Sequence, residues 1–67
     1  MQEIIFIAEE SDEGGFIARA LGVSIFTEAE TFNELKDAVK DAVKCHFDDD
    51  KQRIIRLHMV KEEVFAA

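Results

Sequence analysis

Disulfide bonds are excluded as a source of stability, because the chain contains a single cysteine, Cys45. A lone cysteine in a small protein is typical of a reducing compartment, so we expect a cytoplasmic location. The sequence also lacks an apolar run long enough to cross a membrane, and Met1-Gln2-Glu3 lacks the basic start of a signal peptide. The composition therefore predicts a soluble intracellular protein that has no membrane partner.

Basic residues are few, since eight lysines and arginines face fifteen acidic residues and leave a formal net charge of −7. Such a charge repels phosphate backbones and anionic lipid, so direct binding to nucleic acid is not expected. An acidic surface serves either solubility alone or the recognition of a basic protein partner.

The chain is short, and we expect residues 1–67 to form one domain. A domain of this size buries only about 60% of the surface that its unfolded chain exposes, so its hydrophobic core is small. With neither disulfides nor an evident metal cluster to reinforce that core, self-association is the remaining source of stability. We therefore expect a homo-oligomer, either a dimer or a larger assembly.

Four segments have the composition of β-strands, being short, apolar or alternating, and bounded by polar residues and glycines. Gly14 and Gly15 supply the positive φ angles that a hairpin connection between the first two strands requires. In the last strand, Ile55, Leu57 and Met59 alternate with a mixed set of side chains, which indicates one purely apolar face. The predicted strands are residues 4–8, 16–21, 24–29 and 53–60.

One helix is predicted between the third and fourth strands. Thr31 and Glu34 form a capping box, in which the Thr31 hydroxyl accepts from the Glu34 amide and the Glu34 carboxylate reaches back to the Thr31 amide. We expect the helix to end near Phe47, because the three aspartates that follow are unfavourable at the negative end of the helix dipole. An apolar stripe recurs at steps of three and four residues: Phe32, Leu35, Val39, Ala42 and Val43.

The order β-β-β-α-β predicts an α+β fold in which a three- to four-stranded sheet of antiparallel type is covered on one face by a single helix. The other face then stays open and apolar, which favours contact with another copy of the chain. We expect Ile4, Phe6, Ile54 and Val60 to lie on this oligomer face. Residues 61–67 fit either a further strand or an arm.

Cys45, His46 and His58 are the residue types that bind metals, but two of them are neighbours on a helix and point apart. For the same reason Cys45 and His46 cannot act together as nucleophile and base. We expect a structural role instead, with His46 partly buried on the apolar stripe and Cys45 a small apolar residue at its edge. The sequence therefore predicts no catalytic residue, no metal and no cofactor.

Gly14-Gly15 precedes an aromatic residue, Leu21-Gly22 follows the second strand, and the run Thr27-Glu28-Ala29-Glu30-Thr31-Phe32-Asn33-Glu34-Leu35 opens an alanine-punctuated helix. In this order, and over about two thirds of the chain, these motifs resemble the HicB-like antitoxin domain. The resemblance implies a fold similar to a truncated ribonuclease H without its catalytic acids. It also implies a partner, because members of that family bind HicA, a small basic toxin that cleaves messenger RNA.

Two departures limit what the resemblance implies. Relatives usually carry a proline-rich loop after the second strand, whereas this chain contains no proline. Longer relatives append a DNA-binding segment, whereas only residues 61–67 follow the last strand here. DNA binding is therefore not expected, and the toxin-neutralising role is what remains.

The predicted function is that of a non-enzymatic antitoxin-like protein that masks a HicA-type toxin. The first candidate for the surface that attracts the toxin is the acidic hairpin, and the second is the C-terminal segment around Val64 and Phe65. The alternatives are an oligomeric interaction module of the same fold without a toxin partner, a small enzyme, and, for the hairpin, a merely solvated loop. The acidic hairpin residues are Glu9, Glu10, Asp12 and Glu13.

Overall fold

The computed structural model describes residues 2–49 and 51–67. The predicted α+β class and the order β-β-β-α-β are confirmed, and each predicted strand end lies within two residues of the observed one. The elements are β1 (Glu3–Glu10), β2 (Phe16–Ala20), β3 (Phe26–Ala29), α1 (Phe32–Phe47) and β4 (Ile54–Val60).

The four strands form one sheet in the order β3-β2-β1-β4. Short loops join β1, β2 and β3 into an antiparallel meander, as the predicted sheet type requires. The fourth strand differs, because α1 carries the chain across to the far edge of the sheet and β4 then runs parallel to β1. The sheet is therefore mixed, with β2 and β1 as its inner strands and β3 and β4 at its edges.

The hairpin between β1 and β2 depends on both glycines, as predicted. The Gly14 amide donates to the Ser11 carbonyl, and the Ser11 amide donates to the Gly15 carbonyl. The N···O distance is 3.0 Å in both hydrogen bonds. Gly14 and Gly15 have φ angles of +93° and +81°. A Cβ atom at Gly15 would lie 2.8 Å from the carbonyl oxygen of Ala29, so this glycine also permits the close approach of β3.

The helix begins and ends where the sequence predicts. Thr31 is the N-cap, and its hydroxyl accepts from the Glu34 amide at 3.1 Å, although the return bond of the capping box is not formed within residues 2–49. At the other end Asp48 adopts the left-handed conformation, with φ of 47°, and its amide donates to the Lys44 carbonyl at 3.0 Å. This is a C-cap of the kind that glycine usually makes.

The core lies between α1 and one face of the sheet. The buried residues of the helix stripe follow one another at steps of four and are Leu35, Val39 and Val43. The next step reaches Phe47, which packs at the edge of the core. His46 therefore lies off the stripe and is exposed, so its predicted partial burial is wrong, and Cys45 is exposed as well. The buried residues are Ile4, Phe6, Ala8, Ala18, Ile25, Leu35, Val39 and Val43.

The predicted oligomer face needs correction at two of its four residues. Ile4 and Phe6 pair in register with Ile55 and Leu57, on the face that α1 covers, and their side chains are 4% and 0% exposed. The open face carries the other set of β1 residues, Ile5 and Ile7, because alternate side chains of a strand point to opposite faces. Ile54 and Val60 do lie on the open face, and their side chains are exposed.

Residues 61–67 form neither a further strand nor a helix, and all of them are exposed. Within the described part of the chain, no helix has the length and apolar character needed to span a membrane.

Candidate partner-binding cleft

The parallel pairing of β1 and β4 places the hairpin loop beside the C-terminal segment. Parallel strands end at the same edge of a sheet, and here Glu9 of β1 pairs in register with Val60 of β4. The loop at residues 11–15 follows β1, and residues 61–67 follow β4. The two candidate binding segments therefore emerge side by side, although 50 residues separate Ser11 from Lys61 in the sequence.

Between these segments lies an open cleft of about 720 Å³, called the acidic cleft below. All four acidic residues of the predicted steering surface line it, and so does Val64. Phe65 is not part of the lining, and its side chain is 80% exposed. The complete lining is Glu9, Glu10, Ser11, Asp12, Glu13, Ile17, Val60, Lys61, Glu62 and Val64.

Glu62 was not among the residues predicted from sequence. It adds a fifth carboxylate to the lining, where Lys61 is the only basic residue. No local pattern could have indicated its contribution, because Glu62 joins the hairpin acids only when β4 lies parallel to β1.

The carboxylates of the acidic cleft are only weakly neutralised. Glu9 approaches Arg19 at 3.9 Å between Oε1 and Nη1, and both side chains are well exposed, so this ion pair contributes little. Within residues 2–49 and 51–67, Arg19 is the one basic side chain that forms an ion pair with a carboxylate of the lining. The cleft therefore presents a concentrated negative potential next to the apolar side chains of Ile17, Val60 and Val64.

The three residues with metal-binding side chains are not brought together. Cys45 and His46 lie on the last turn of α1, where the His46 ring contacts the Phe47 ring edge-on at 4.9 Å between centroids. His58 lies on the open face of the sheet, in register with Ile7. Over the described residues, no three His, Cys, Asp or Glu side chains are placed to hold a metal ion.

A second charged cluster lies at the N-terminal end of β4, where the segment that connects α1 to β4 enters the strand. The Arg53 guanidinium donates to both carboxylate oxygens of Asp49, at 2.9 and 2.8 Å, and its Nε donates to the Gln2 side chain at 3.0 Å. The guanidinium also lies over the Phe47 ring, 3.9 Å from the centroid. The hydrogen bond from Arg53 lowers the pKa of Asp49 from 3.8 to about 2, and the same bond raises the pKa of Arg53.

Proteins similar to this chain occur in Thermotoga maritima and Archaeoglobus fulgidus. A protein from Thermotoga maritima named UPF0150 protein is 45% identical over 65 residues, which cover 97% of this chain and 93% of that relative. A protein of the same name from Archaeoglobus fulgidus is 59% identical over 46 residues, which cover 69% of this chain and 68% of that relative. No family model and no solved structure matches the chain. Because the identity extends over nearly the full length of the first relative, the chain belongs to the UPF0150 family.

Proposed function

We propose that this protein is a non-enzymatic antitoxin-like protein that binds a small basic ribonuclease of the HicA type and masks it. The motifs that resemble the HicB-like domain suggest the class of partner. The observation that supports this partner most directly is the convergence of five carboxylates and the exposed Val64 in one cleft.

The charges of the acidic cleft suit a basic partner in two ways. Their potential raises the rate of encounter with a cationic protein, because opposite charges attract each other within a screening length of about 8 Å at physiological ionic strength and over longer distances at lower salt. Once in contact, Ile17, Val60 and Val64 supply an apolar floor against which the partner buries surface. In this proposal the acidic side chains determine the association rate, and the apolar ones determine the lifetime of the complex.

The test uses the basic protein encoded beside the gene for this chain, co-expressed with it and then purified. Co-expression should relieve the growth arrest caused by the toxin. The association rate measured by stopped flow should fall as salt rises, because salt screens the steering charges. Failure to bind or to neutralise that basic protein would contradict the proposed function.

A matched pair of variants locates the interface. In the first variant, the corresponding amides replace the four hairpin acids Glu9, Glu10, Asp12 and Glu13. This variant should bind with an association rate about tenfold lower, while its dissociation rate should change much less. The control neutralises four exposed acids away from the cleft and has the same net charge; they lie at the far end of β1, on α1 and at its C-cap, and are Glu3, Asp37, Asp41 and Asp48. Equal slowing in both variants would show that total charge, and not the acidic cleft, attracts the partner.

The alternative function is an oligomeric interaction module of the same fold that has no toxin partner. The observation that favours it is the open face of the sheet, where Phe26 is 62% exposed and Ile54 is 47% exposed. The gene next to this one distinguishes the two functions, since the module requires no short basic neighbour.

A further inference from the structure

β4 is an edge strand, and among residues 2–49 and 51–67 no strand pairs with its outer edge. The Ile54 amide donates to the Gln2 carbonyl at 2.9 Å, so this residue faces β1. Because backbone groups alternate in direction along a strand, those of Ile55, Leu57 and Met59 face outwards. The strand is seven residues long and contains no proline. Exposed edges of this kind readily pair with another strand.

The side chains of β4 are also incompletely covered. Met59 lies on the helix-facing side of the sheet and is nevertheless 41% exposed. Beside it a cavity of about 140 Å³ remains between α1 and β4, lined by apolar groups of Val39, Ile55 and Leu57 and by two lysine side chains. Ile54 and Val60 are exposed on the opposite face. The strand thus presents apolar surface on both sides of its free edge.

We propose that a second copy of this chain pairs with β4 along that edge, antiparallel and about a two-fold axis at Leu57. The two four-stranded sheets then form one continuous sheet of eight strands. Leu57 lies opposite Leu57 of the second copy, and Ile55 lies opposite its Met59. Each of these pairs exchanges two backbone hydrogen bonds, because these are the residues whose amides and carbonyls face outwards.

The order of side chains along β4 favours a two-fold axis at Leu57 over an axis at either adjacent residue. On the open face it sets Ile54 opposite Val60, so apolar side chains meet at both ends of the paired segment. Between them it sets His58 opposite Arg56, whose guanidinium is already paired with the Glu3 carboxylate. A shift of the axis to Arg56 would place two arginines directly opposite each other, which is unfavourable. A shift to His58 would place Ile55 opposite Lys61 and shorten the paired segment.

The charges beyond the strand are also consistent with this register. Continued past Val60, it brings Glu63 of one copy opposite Lys51 of the other. Lys61 comes opposite Arg53, whose guanidinium is already bound by both carboxylate oxygens of Asp49. The complementary pair at Glu63 and Lys51 occurs twice, because the axis repeats it.

A disulfide tests the register. In a Cys45→Ser background, Ile54→Cys and Val60→Cys together should form a covalent dimer under mild oxidation, seen at twice the mass on a non-reducing gel. The two positions face each other as a non-hydrogen-bonded pair, with Cα atoms about 4.5 Å apart, within disulfide range. Within one copy they are six residues apart along a strand, about 20 Å, so they cannot react with each other.

The single variant Ile54→Cys, also with Cys45→Ser, is the matched control. Its two cysteines lie about 20 Å apart across the axis, so it should stay uncrosslinked. Absence of the covalent dimer in the double variant, a ladder of open polymers, or equal crosslinking in the control would each overturn the proposal.

A charge at the edge gives an independent test by light scattering. Met59→Lys should fold as the parent does, because this side chain is partly exposed in a single copy. It should raise the dissociation constant of the dimer roughly a hundredfold, about tenfold for each of the two symmetry-related lysines that become buried. Phe26→Lys, on the opposite edge strand, should leave the dimer intact. A monomeric parent, or a dimer that tolerates Met59→Lys, would overturn the proposal.

Discussion

At the scale of single residues, two adjacent glycines have unequal roles. Both have positive φ, but a side chain at Gly14 would meet no atom within 4 Å, whereas one at Gly15 would meet the Ala29 carbonyl at 2.8 Å. Gly14→Ala should therefore lower the free energy of unfolding by about 1 kcal/mol, through backbone strain alone. Gly15→Ala should lower it by about 3 kcal/mol, because the backbone of β3 must also move. Urea denaturation measures both, and equal losses would contradict the role assigned to Gly15.

Asp49 gives the stability a dependence on pH. Because its hydrogen bond from Arg53 lowers the pKa in the folded state from 3.8 to about 2, the carboxylate stabilises the fold above about pH 4. That contribution should disappear as the pH falls from 4 towards 2, since protonation breaks the pairing. Denaturation of the parent and of Asp49→Asn across this range should show the difference between them shrinking. A carboxyl resonance of Asp49 that titrates near 3.8 by NMR would contradict the effect.

At the scale of elements, α1 is held by a narrow stripe. Leu35 and Val39 are 0% and 1% exposed, so Leu35→Ala should lower the free energy of unfolding by about 2–4 kcal/mol and Val39→Ala by somewhat less. Lys44→Ala is the control on the exposed side of the same helix, and it should change stability by no more than about 0.5 kcal/mol. Chemical denaturation that gave Lys44→Ala the larger loss would mean that the phase of the helix is wrong.

The limits of sequence-based prediction are clearest in the elements. Local signals at Thr31 and around Asp48 were sufficient to place both ends of α1. The face of β1 was not predictable, because residues 4–8 are apolar on both sides and their alternation carries no information. The direction of β4 was not predictable either, since a strand has the same composition whether it runs parallel or antiparallel to its neighbour. His46 was misplaced because the stripe continues in steps of four to Phe47.

The same contrast holds for the candidate site. Clustering along the sequence was sufficient to identify the four hairpin acids, but Glu62 and Ile17 enter the cleft only through the pairing of strands. Tertiary neighbours of this kind leave no trace in local composition.

At the scale of the whole molecule, the charge of −7 is unevenly distributed. The acidic cleft lies at the C-terminal end of β4, while Lys40, Lys44 and Lys51 surround a groove of about 430 Å³ near its N-terminal end. The molecule is therefore polarised along β4. In an antiparallel pair of copies, the acidic end of each β4 would lie beside the basic end of the other β4, which is electrostatically favourable. One acidic cleft would remain at each end of the joined sheet.

The position of β1 between β2 and β4 also has a consequence for synthesis on the ribosome. This inner strand is made before the other three strands of the sheet, yet one of its two neighbours begins only at Ile54. At about 5–20 residues per second, the nascent chain therefore exposes the β4 side of β1 for several seconds. During that interval only the meander and α1 can fold against each other. A nascent chain lacking β4 should therefore be the species most prone to aggregate, and the addition of Ile54–Val60 should complete the sheet.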